Sequence, residues 1–219
     1  ALKRIMCEYT REAGVRNLDR TLARIMRRCA LKVLEGDAER IRVGARDLKR
    51  FLGPPKYKTE TRLENPEVGV ATGMAWTPVG GAILQVEATV VPGRGNLILT
   101  GQLGDVMKES ARIAMTLTRK FCDKDAEFFE KHDFHVHLPE GAVPKDGPSA
   151  GLTMLSAIVS AVTNRKIANN VAMTGEISLR GRILPVGGIK EKVLAAYHYG
   201  LKEVILPVEN RSDIEKIPE

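Results

Sequence analysis

The chain has 219 residues, of which 43% are hydrophobic and 28% charged, ordinary proportions for a globular protein with a buried core. No run of 18 apolar residues and no signal peptide occurs, so we expect neither a membrane span nor a membrane partner. Three widely spaced cysteines (Cys7, Cys29, Cys122) argue against a zinc site or a disulfide framework, and indicate a reducing compartment. Because residue 1 is Ala, we expect a fragment of a longer protein.

The net charge of +7 lies entirely near the N-terminus. Residues 1–60 hold 16 Lys and Arg against 8 Asp and Glu, a net charge of +8. Such asymmetry is typical either of a nucleic-acid surface or of a solvated helix face. Few aromatic residues interleave with the charges along the sequence, which favours the helix face.

Apolar residues at spacings of three and four predict a helix over residues 3–35, ended by Gly36-Asp37. A short strand at 41–43 and a brief helix at 47–52 follow. The strongest break is Gly53-Pro54-Pro55, and a polar linker continues to about residue 61. We therefore expect a small, mostly helical segment over 1–57 and a second domain over 58–219.

From Gly69 the apolar period shortens to two, which predicts a β-hairpin with its turn at Gly80-Gly81. The remaining pattern alternates irregularly between short strands and helices, without an internal repeat. The fold class is therefore α/β or α+β, with β-hairpins and short sheets packed against helices. The predicted strands are 68–76, 82–91, 97–100, 134–138, 171–174, 176–179, 182–184 and 203–206, and the predicted helices are 105–120, 152–162 and 189–200.

Several chemistries are excluded because the P-loop motif G-x-x-x-x-G-K-[ST] and the zinc motif H-E-x-x-H do not occur. Residues 147–151 match G-x-S-x-G, but no core strand precedes them, unlike the α/β-hydrolase elbow. Ser149 stands among small residues at the start of a predicted helix, where free N–H groups can stabilise an oxyanion. Spacing alone leaves two interpretations open, a reactive serine or a helix cap.

A reactive serine without a suitable histidine needs another base, and lysine is one known solution. The ordinary lysine pKa of about 10.4 must then fall by roughly 3 units. Lys190 and Lys192 both lie at borders of the polar face of the predicted helix 189–200. Periodicity does not choose between them.

Four motifs resemble those of a known family, and this resemblance chooses between the two interpretations of Ser149 and between the two lysines. The strings HVHLPEGAVPKDGP (135–148), PKDGPSAG (144–151), VAMTGEISLRG (171–181) and ILPVGGIKEK (183–192) resemble the Lon protease domain, an ATP-dependent serine–lysine peptidase. The match runs from about Gly69 to Pro207. The resemblance implies that Ser149 is the nucleophile, that Lys192 is the general base, and that Thr174 orients the lysine.

Other side chains receive weaker assignments. Asp146 either controls the nucleophile loop or only forms an Asx turn. Glu176 and Arg180 pair near the site or only on the surface. His135 and His137 share one strand face, where structural hydrogen bonding is favoured over metal binding, and no metal site is expected. Met74 and Trp76 belong to the core or to a substrate groove, with the core favoured.

The N-terminal string YTREAGVRNLDR (9–20) is similar to the end of the small helical subdomain of a Lon AAA+ module. The resemblance implies that Arg16 is a nucleotide-sensing arginine. Since the Walker motifs are absent, we expect this fragment to bind no nucleotide or other cofactor. The full-length protein is expected to use ATP and Mg²⁺.

The resemblance implies a serine endopeptidase that degrades misfolded and regulatory proteins as a homo-hexamer. Unfolded or damaged proteins are the expected partners, and the bacterial cytoplasm is preferred over the mitochondrial matrix. Two alternatives stay open: a DNA-binding module acting through residues 1–60, and a catalytically inactive Lon-like domain. The joint presence of Ser149, Thr174 and Lys192 argues against the inactive domain.

Overall fold

The computed structural model describes residues 1–10, 12, 14–37, 39–57, 64–77, 80–139, 145–215 and 217. The chain divides into two compact units, Ala1–Thr61 and Arg62–Glu219. The boundary predicted between residues 57 and 58 stays a prediction.

The first unit is helical. Helix α1 (Leu2–Ile5) continues into a π-helical turn (Met6–Thr10), followed by α2 (Arg16–Leu34) and α3 (Leu48–Leu52). Their apolar faces meet in a small core of five buried side chains: Ile5, Tyr9, Ile25, Leu48 and Phe51.

Two details of this unit differ from the prediction. The helix expected over 3–35 is interrupted, and α2 begins afresh because the Glu12 carboxylate accepts the Asn17 and Leu18 N–H groups at 2.9 and 2.7 Å. The strand predicted at 41–43 is wrong, since these residues form no regular element. Ile41 and Val43 instead pack against the small core.

The second unit is built on a six-stranded sheet with the order β3-β4-β2-β1-β5-β8. Strands β1 and β2 are antiparallel, as are β2 and β4, whereas the pairs β3–β4, β1–β5 and β5–β8 are parallel. A separate antiparallel pair is formed by β6 and β7. The bounds are β1 Val70–Thr77, β2 Gly80–Pro92, β3 Leu97–Thr100, β4 His132–His137, β5 Val171–Met173, β6 Glu176–Ile177, β7 Ile183–Leu184 and β8 Glu203–Ile205.

Helices cover both faces of this sheet, which confirms the mixed α/β prediction. Helices α4 (Asp105–Phe121) and α6 (Gly151–Thr163) supply buried side chains to the main core, together with strands β2 and β4. Helix α7 (Ile189–His198) packs on the opposite face, where Ala196 meets Met74 of β1. Successive residues of a strand point to opposite faces of the sheet. Gly73 faces Thr153 of α6, so its neighbour Met74 faces the other side, where α7 lies.

The predicted β1–β2 hairpin is confirmed, but the two glycines expected in its turn lie in strand β2. Gly80 and Gly81 belong to β2 and pair with Thr77 and Trp76. Gly81 is required for packing, because a Cβ atom there would lie 2.0 Å from the Glu191 carbonyl oxygen of α7. The second glycine of the predicted turn therefore brings α7 against the sheet.

Two short helices were not predicted. Helix α5 (Ala126–Lys131) begins where the Asp125 side chain accepts the Phe128 N–H, and α8 (Arg211–Ile214) follows a 3₁₀ turn. Val106, in the first turn of α4, is exposed. Among the described residues, no helix is both long and apolar enough to cross a membrane.

Candidate active site

Ser149 lies in a 3₁₀ turn (Pro148–Ala150) that leads directly into α6. Gly147 precedes it with φ +124°, a conformation that favours glycine. The N–H groups of Gly151 and Leu152 already donate to Pro148 and Gly175 carbonyls. Two of the N–H groups expected to be free around the serine are therefore already bonded, whereas the Ser149 N–H donates to no group among the described residues.

Lys192 and Lys190 have opposite environments. The Lys192 side chain is only 2% exposed, whereas Lys190 is exposed to solvent. Burial lowers the pKa of Lys192 from 10.5 to about 8, because an ammonium group loses hydration away from water. Packing of α7 against the sheet therefore distinguishes the two lysines that helical periodicity could not rank.

Thr174 connects the lysine to the serine residue. This fully buried threonine follows β5, and its Oγ1 accepts a hydrogen bond from Lys192 Nζ at 3.1 Å. The same hydroxyl donates to the Ser149 carbonyl oxygen at 3.2 Å, and the Gly175 N–H donates to that oxygen at 2.9 Å. The nucleophile candidate, the lysine and the threonine predicted from sequence thus lie within one hydrogen-bonded group.

Asp146 anchors the segment that precedes the serine. Its Oδ1 atom accepts the N–H of Met107 in the first turn of α4 at 3.1 Å, and the N–H of Gly147 at 2.9 Å. Gly104 leaves the space for this contact, since a Cβ atom there would lie 2.2 Å from Asp146 Cγ. Asp146 therefore makes a local turn contact and also holds the loop to a distant helix.

The remaining predicted side chains lie in varied places. Glu176 is half-buried in β6 and Arg180 is exposed in the following turn, and the described residues contain no ion pair between them. His135 and His137 both hydrogen-bond the Thr100 hydroxyl, at 2.9 and 2.7 Å, as the structural interpretation expected. Arg16 is exposed at the first residue of α2.

Sequence reasoning misplaced one aromatic side chain. Met74 is in the core with 2% exposure, but Trp76 is 59% exposed, so the preference for a core position was wrong for the tryptophan. Trp76 lies against Gly188, where a Cβ atom would come within 2.9 Å of the Trp76 Cβ. Gly188, with φ +70°, is the residue from which α7 begins. No sequence pattern predicted this contact, because Trp76 and Gly188 are far apart in the chain.

Comparison with known families identifies the two parts of the chain. Residues 42–219 match the Lon protease (S16) C-terminal proteolytic domain, and residues 1–41 match the Lon protease AAA+ ATPase lid domain. The chain belongs to the Lon protease family. Its second unit therefore carries a Lon-type proteolytic domain, and its N-terminal helices carry a Lon lid.

Individual relatives agree with the family assignment. The Lon protease of Fervidobacterium nodosum is 56% identical over 220 residues, covering 100% of this chain and 27% of that protein. The Lon protease of Dictyoglomus thermophilum is 55% identical over 223 residues, covering 100% of this chain and 28% of that protein. Lon protease 2 of Thermus thermophilus is 53% identical over 221 residues, with the same coverage of 100% and 28%. The chain thus spans about a quarter of the length of these Lon relatives.

Proposed function

We propose that this chain is the cutting part of an ATP-dependent Lon protease, a serine endopeptidase with Ser149 as nucleophile and Lys192 as general base. The observation that carries the proposal is the environment of Lys192. Lys192 is buried, and its pKa is lowered to about 8. Its Nζ donates a hydrogen bond to the Thr174 hydroxyl, which in turn donates to the Ser149 carbonyl oxygen. A base poised near neutral pH is what proton transfer from a serine hydroxyl requires.

The proposed reaction has two halves. The Ser149 hydroxyl adds to the substrate carbonyl carbon while neutral Lys192 Nζ accepts its proton. The tetrahedral intermediate then loses the amine, which takes that proton from Lys192, and an ester on Ser149 remains. Water adds to the ester carbonyl while giving a proton to Lys192, and breakage of the ester bond returns that proton to the Ser149 oxygen.

Two local contacts support these roles. The Ser149 N–H, which has no acceptor among the described residues, is available to the oxyanion that forms in each half. The Thr174 hydroxyl donates to the Ser149 carbonyl, so it presents a lone pair to Lys192 Nζ and fixes the direction of the amine. The Ser149 hydroxyl makes no hydrogen bond within the described residues, and substrate binding is the event that brings such catalytic contacts to full length.

The activity of the whole protein is part of the proposal. We expect a homo-hexamer in the bacterial cytoplasm that uses ATP and Mg²⁺ to feed unfolded or damaged proteins to Ser149. The residues present do not form a nucleotide site by themselves, because the sequence lacks a P-loop and Arg16 stands exposed on the lid. We therefore expect this chain alone to cut short unstructured peptides slowly and to leave folded proteins intact.

Reaction with a peptidyl boronate tests the nucleophile directly. Boron is expected to bond to Ser149 Oγ, as an analogue of the tetrahedral intermediate, and peptide cleavage should stop in proportion to labelling. A crystal structure of the adduct or mass spectrometry of a trapped peptide locates the bond. An adduct on another side chain, or complete labelling with unchanged cleavage, contradicts the proposal.

Nucleic-acid binding through residues 1–60 is a second candidate, favoured by a groove in the first unit. A cavity of about 320 Å³ is lined by Arg20, Arg24 and Lys56 with Tyr9 and Tyr57, and none of the described residues that line it is acidic. Folding thus brings the Tyr9 ring to the same groove as Arg20 and Arg24, from which it is separated in the sequence. Cations and aromatic faces together are typical of single-strand binding.

The double variant Arg20→Gln, Arg24→Gln is expected to weaken binding of a single-stranded DNA oligonucleotide. The slope of log affinity against log salt concentration should become shallower by the amount that two phosphate contacts contribute. Fluorescence anisotropy between 50 and 300 mM salt measures both quantities. Arg27→Gln with Lys32→Gln is the matched control, since it removes the same charge from α2 outside the groove. If the two double variants lose equal affinity for DNA, or if the parent chain does not bind DNA, this second candidate function is contradicted.

A further inference from the structure

The stretch of chain that follows strand β8 touches the candidate active site from two sides. At its start, the Ile205 carbonyl accepts the Thr174 N–H at 3.1 Å. Pro207 lies against Gly175, where a Cβ atom would come 3.5 Å from Pro207 Cγ. Thr174 and Gly175 both donate a hydrogen bond to the Ser149 carbonyl. The first end of this stretch is therefore fixed to the threonine and serine of the proposed reaction.

The other end of the same stretch holds Val186. The Asn210 side-chain Oδ1 accepts the Val186 N–H at 2.9 Å, and its Nδ2 donates to the Val186 carbonyl at 3.0 Å. Nδ2 also donates to Asp213 Oδ2 at 2.9 Å. Asn210 is only 4% exposed, so a buried amide uses its oxygen and both of its hydrogens in three contacts. Two hydrogen bonds to one residue fix the orientation of its backbone as well as its position.

The bonds to Val186 act at the loosest point of the connection to Lys192. Val186 is followed by Gly187 and Gly188, and α7 begins directly after them. Glycine has more conformational freedom than any other residue, and no side chain caps the start of α7. The local sequence therefore does not fix where the helix begins, and Asn210 supplies a fixed point immediately before the two glycines.

A role in its own helix does not explain the contacts of Asn210. The residue is the N-cap of α8, a position at which an asparagine side chain ordinarily accepts an N–H group of the first turn. That bond is absent from α8, whose residues the structure describes in full. The Asn210 oxygen bonds instead to Val186, 24 residues earlier. The side chain thus serves the segment before α7.

We propose that Asn210 is a positioning residue for the general base, Lys192. By holding Val186 it sets where α7 begins, and so keeps the lysine Nζ at the Thr174 hydroxyl. The inference rests on the proposed peptidase function. The link from β8 to Asn210 is short, because it contains Pro207 and a 3₁₀ turn closed by the Asn210 N–H on the Pro207 carbonyl at 3.0 Å. One compact stretch therefore connects the threonine to the lysine.

Asn210→Ala releases both backbone groups of Val186. We expect kcat for a fluorogenic peptide at pH 8 to fall about tenfold or more, because small displacements of a catalytic group are costly, while KM changes less than about twofold. The midpoint of the profile of kcat/KM against pH should rise by roughly half a pH unit or more. A loosened α7 lets water reach Lys192, and burial is what lowers its pKa.

Ser160→Ala is the matched control. Its hydroxyl also bonds one backbone N–H and one backbone carbonyl, those of Gly69 and Arg165, but near the end of α6 that is distant from Ser149. The control should lower the unfolding temperature, as Asn210→Ala does, and should keep the kcat and the pH midpoint of the parent. A merely structural role of Asn210 would give both variants the same kinetics.

An NMR titration separates this inference from the peptidase proposal, because it needs no cleavage. In protein made with lysine labelled with ¹³C at Cε, the signal that disappears in Lys192→Met belongs to Lys192. Its midpoint should lie near pH 8 in the parent and higher in Asn210→Ala. If the midpoint rises but the parent chain cuts no peptide, the peptidase proposal fails and the placement of Lys192 by Asn210 stands.

An unchanged Lys192 midpoint in folded Asn210→Ala overturns the inference, and so does a loss of kcat that Ser160→Ala matches. If the alanine variant does not fold, Asn210→Ser takes its place. Serine suits the N-cap of α8, but its hydroxyl is too short to bridge both backbone groups of Val186. The same rise in the Lys192 midpoint is then expected, and its absence has the same meaning.

Discussion

Ser149→Ala is expected to lower peptide cleavage by roughly 10³-fold or more, the scale seen when a nucleophilic serine is removed from an otherwise intact site. The fold should survive, because within the described residues the Ser149 hydroxyl makes no hydrogen bond and the side chain is only half-buried. A fluorogenic peptide assay measures the loss, and thermal unfolding should show a midpoint close to that of the parent chain.

Two other serines of α6 provide matched controls. Ser156→Ala changes a half-buried hydroxyl on the same helix and should leave both cleavage and stability near the parent values. Ser160→Ala should have the opposite signature to Ser149→Ala. Its Oγ accepts the Gly69 N–H at 2.8 Å and also donates to the Arg165 carbonyl, so its loss costs about 1–3 kcal/mol of stability while cleavage is retained. If Ser149→Ala still cleaved the peptide at more than one hundredth of the parent rate, the assignment of Ser149 as nucleophile would be contradicted.

The strands and helices that carry the site followed from local sequence pattern. The helix after Ser149, the helix that carries Lys192 and the β1–β2 hairpin all have clear periods, and all three occur with ends shifted by a few residues. The strand expected at 41–43 failed for a physical reason. An alternating triplet is indistinguishable from an irregular segment that turns two apolar side chains into a core.

The choice between Lys190 and Lys192 shows what local pattern does not contain. Both lysines border the polar face of α7, and a border residue is buried or exposed according to how the helix is rotated against its neighbour. That rotation is fixed by contacts distant in sequence, chiefly the approach of Gly81 to the Glu191 carbonyl. Family motifs pointed to Lys192, and the burial of its side chain is the physical difference that supports this choice.

Asp146 and Trp76 show the same dependence on distant partners. The local sequence around Asp146 permits an Asx turn, but its bond to the N–H of Met107, 39 residues earlier, depends on how α4 is placed. We expected Trp76 in the core because it lies in an apolar strand, yet its side chain is 59% exposed, beyond the last pairing of β1 with β5. How far a strand extends past its neighbour is a property of the sheet, which that strand's own sequence does not reveal.

Lys192→Met is expected to abolish peptide cleavage and, at the same time, to stabilise the fold. The pKa of about 8 in the folded protein, against the usual 10.5, means that folding disfavours the ammonium form. The sign follows: the unfolded chain binds more protons between these two values, so the stability of the parent rises as the pH climbs from about 8 toward 10.5. A neutral side chain of similar length avoids the cost of burying the ammonium form, and should therefore raise the free energy of unfolding by on the order of 3 kcal/mol at pH 7.

Lys190→Met is the matched control, because it makes the same chemical change two residues away on an exposed side chain. It should retain both cleavage and the pH dependence of the parent. For the parent, kcat/KM should increase with pH and level off above about 8, as Lys192 becomes neutral and able to accept the Ser149 proton. Urea unfolding at pH 7 and pH 9.5 should show that the stability gained by Lys192→Met shrinks at the higher pH. An active Lys192→Met beside an inactive Lys190→Met would reassign the base, and an unchanged stability would contradict the depressed pKa.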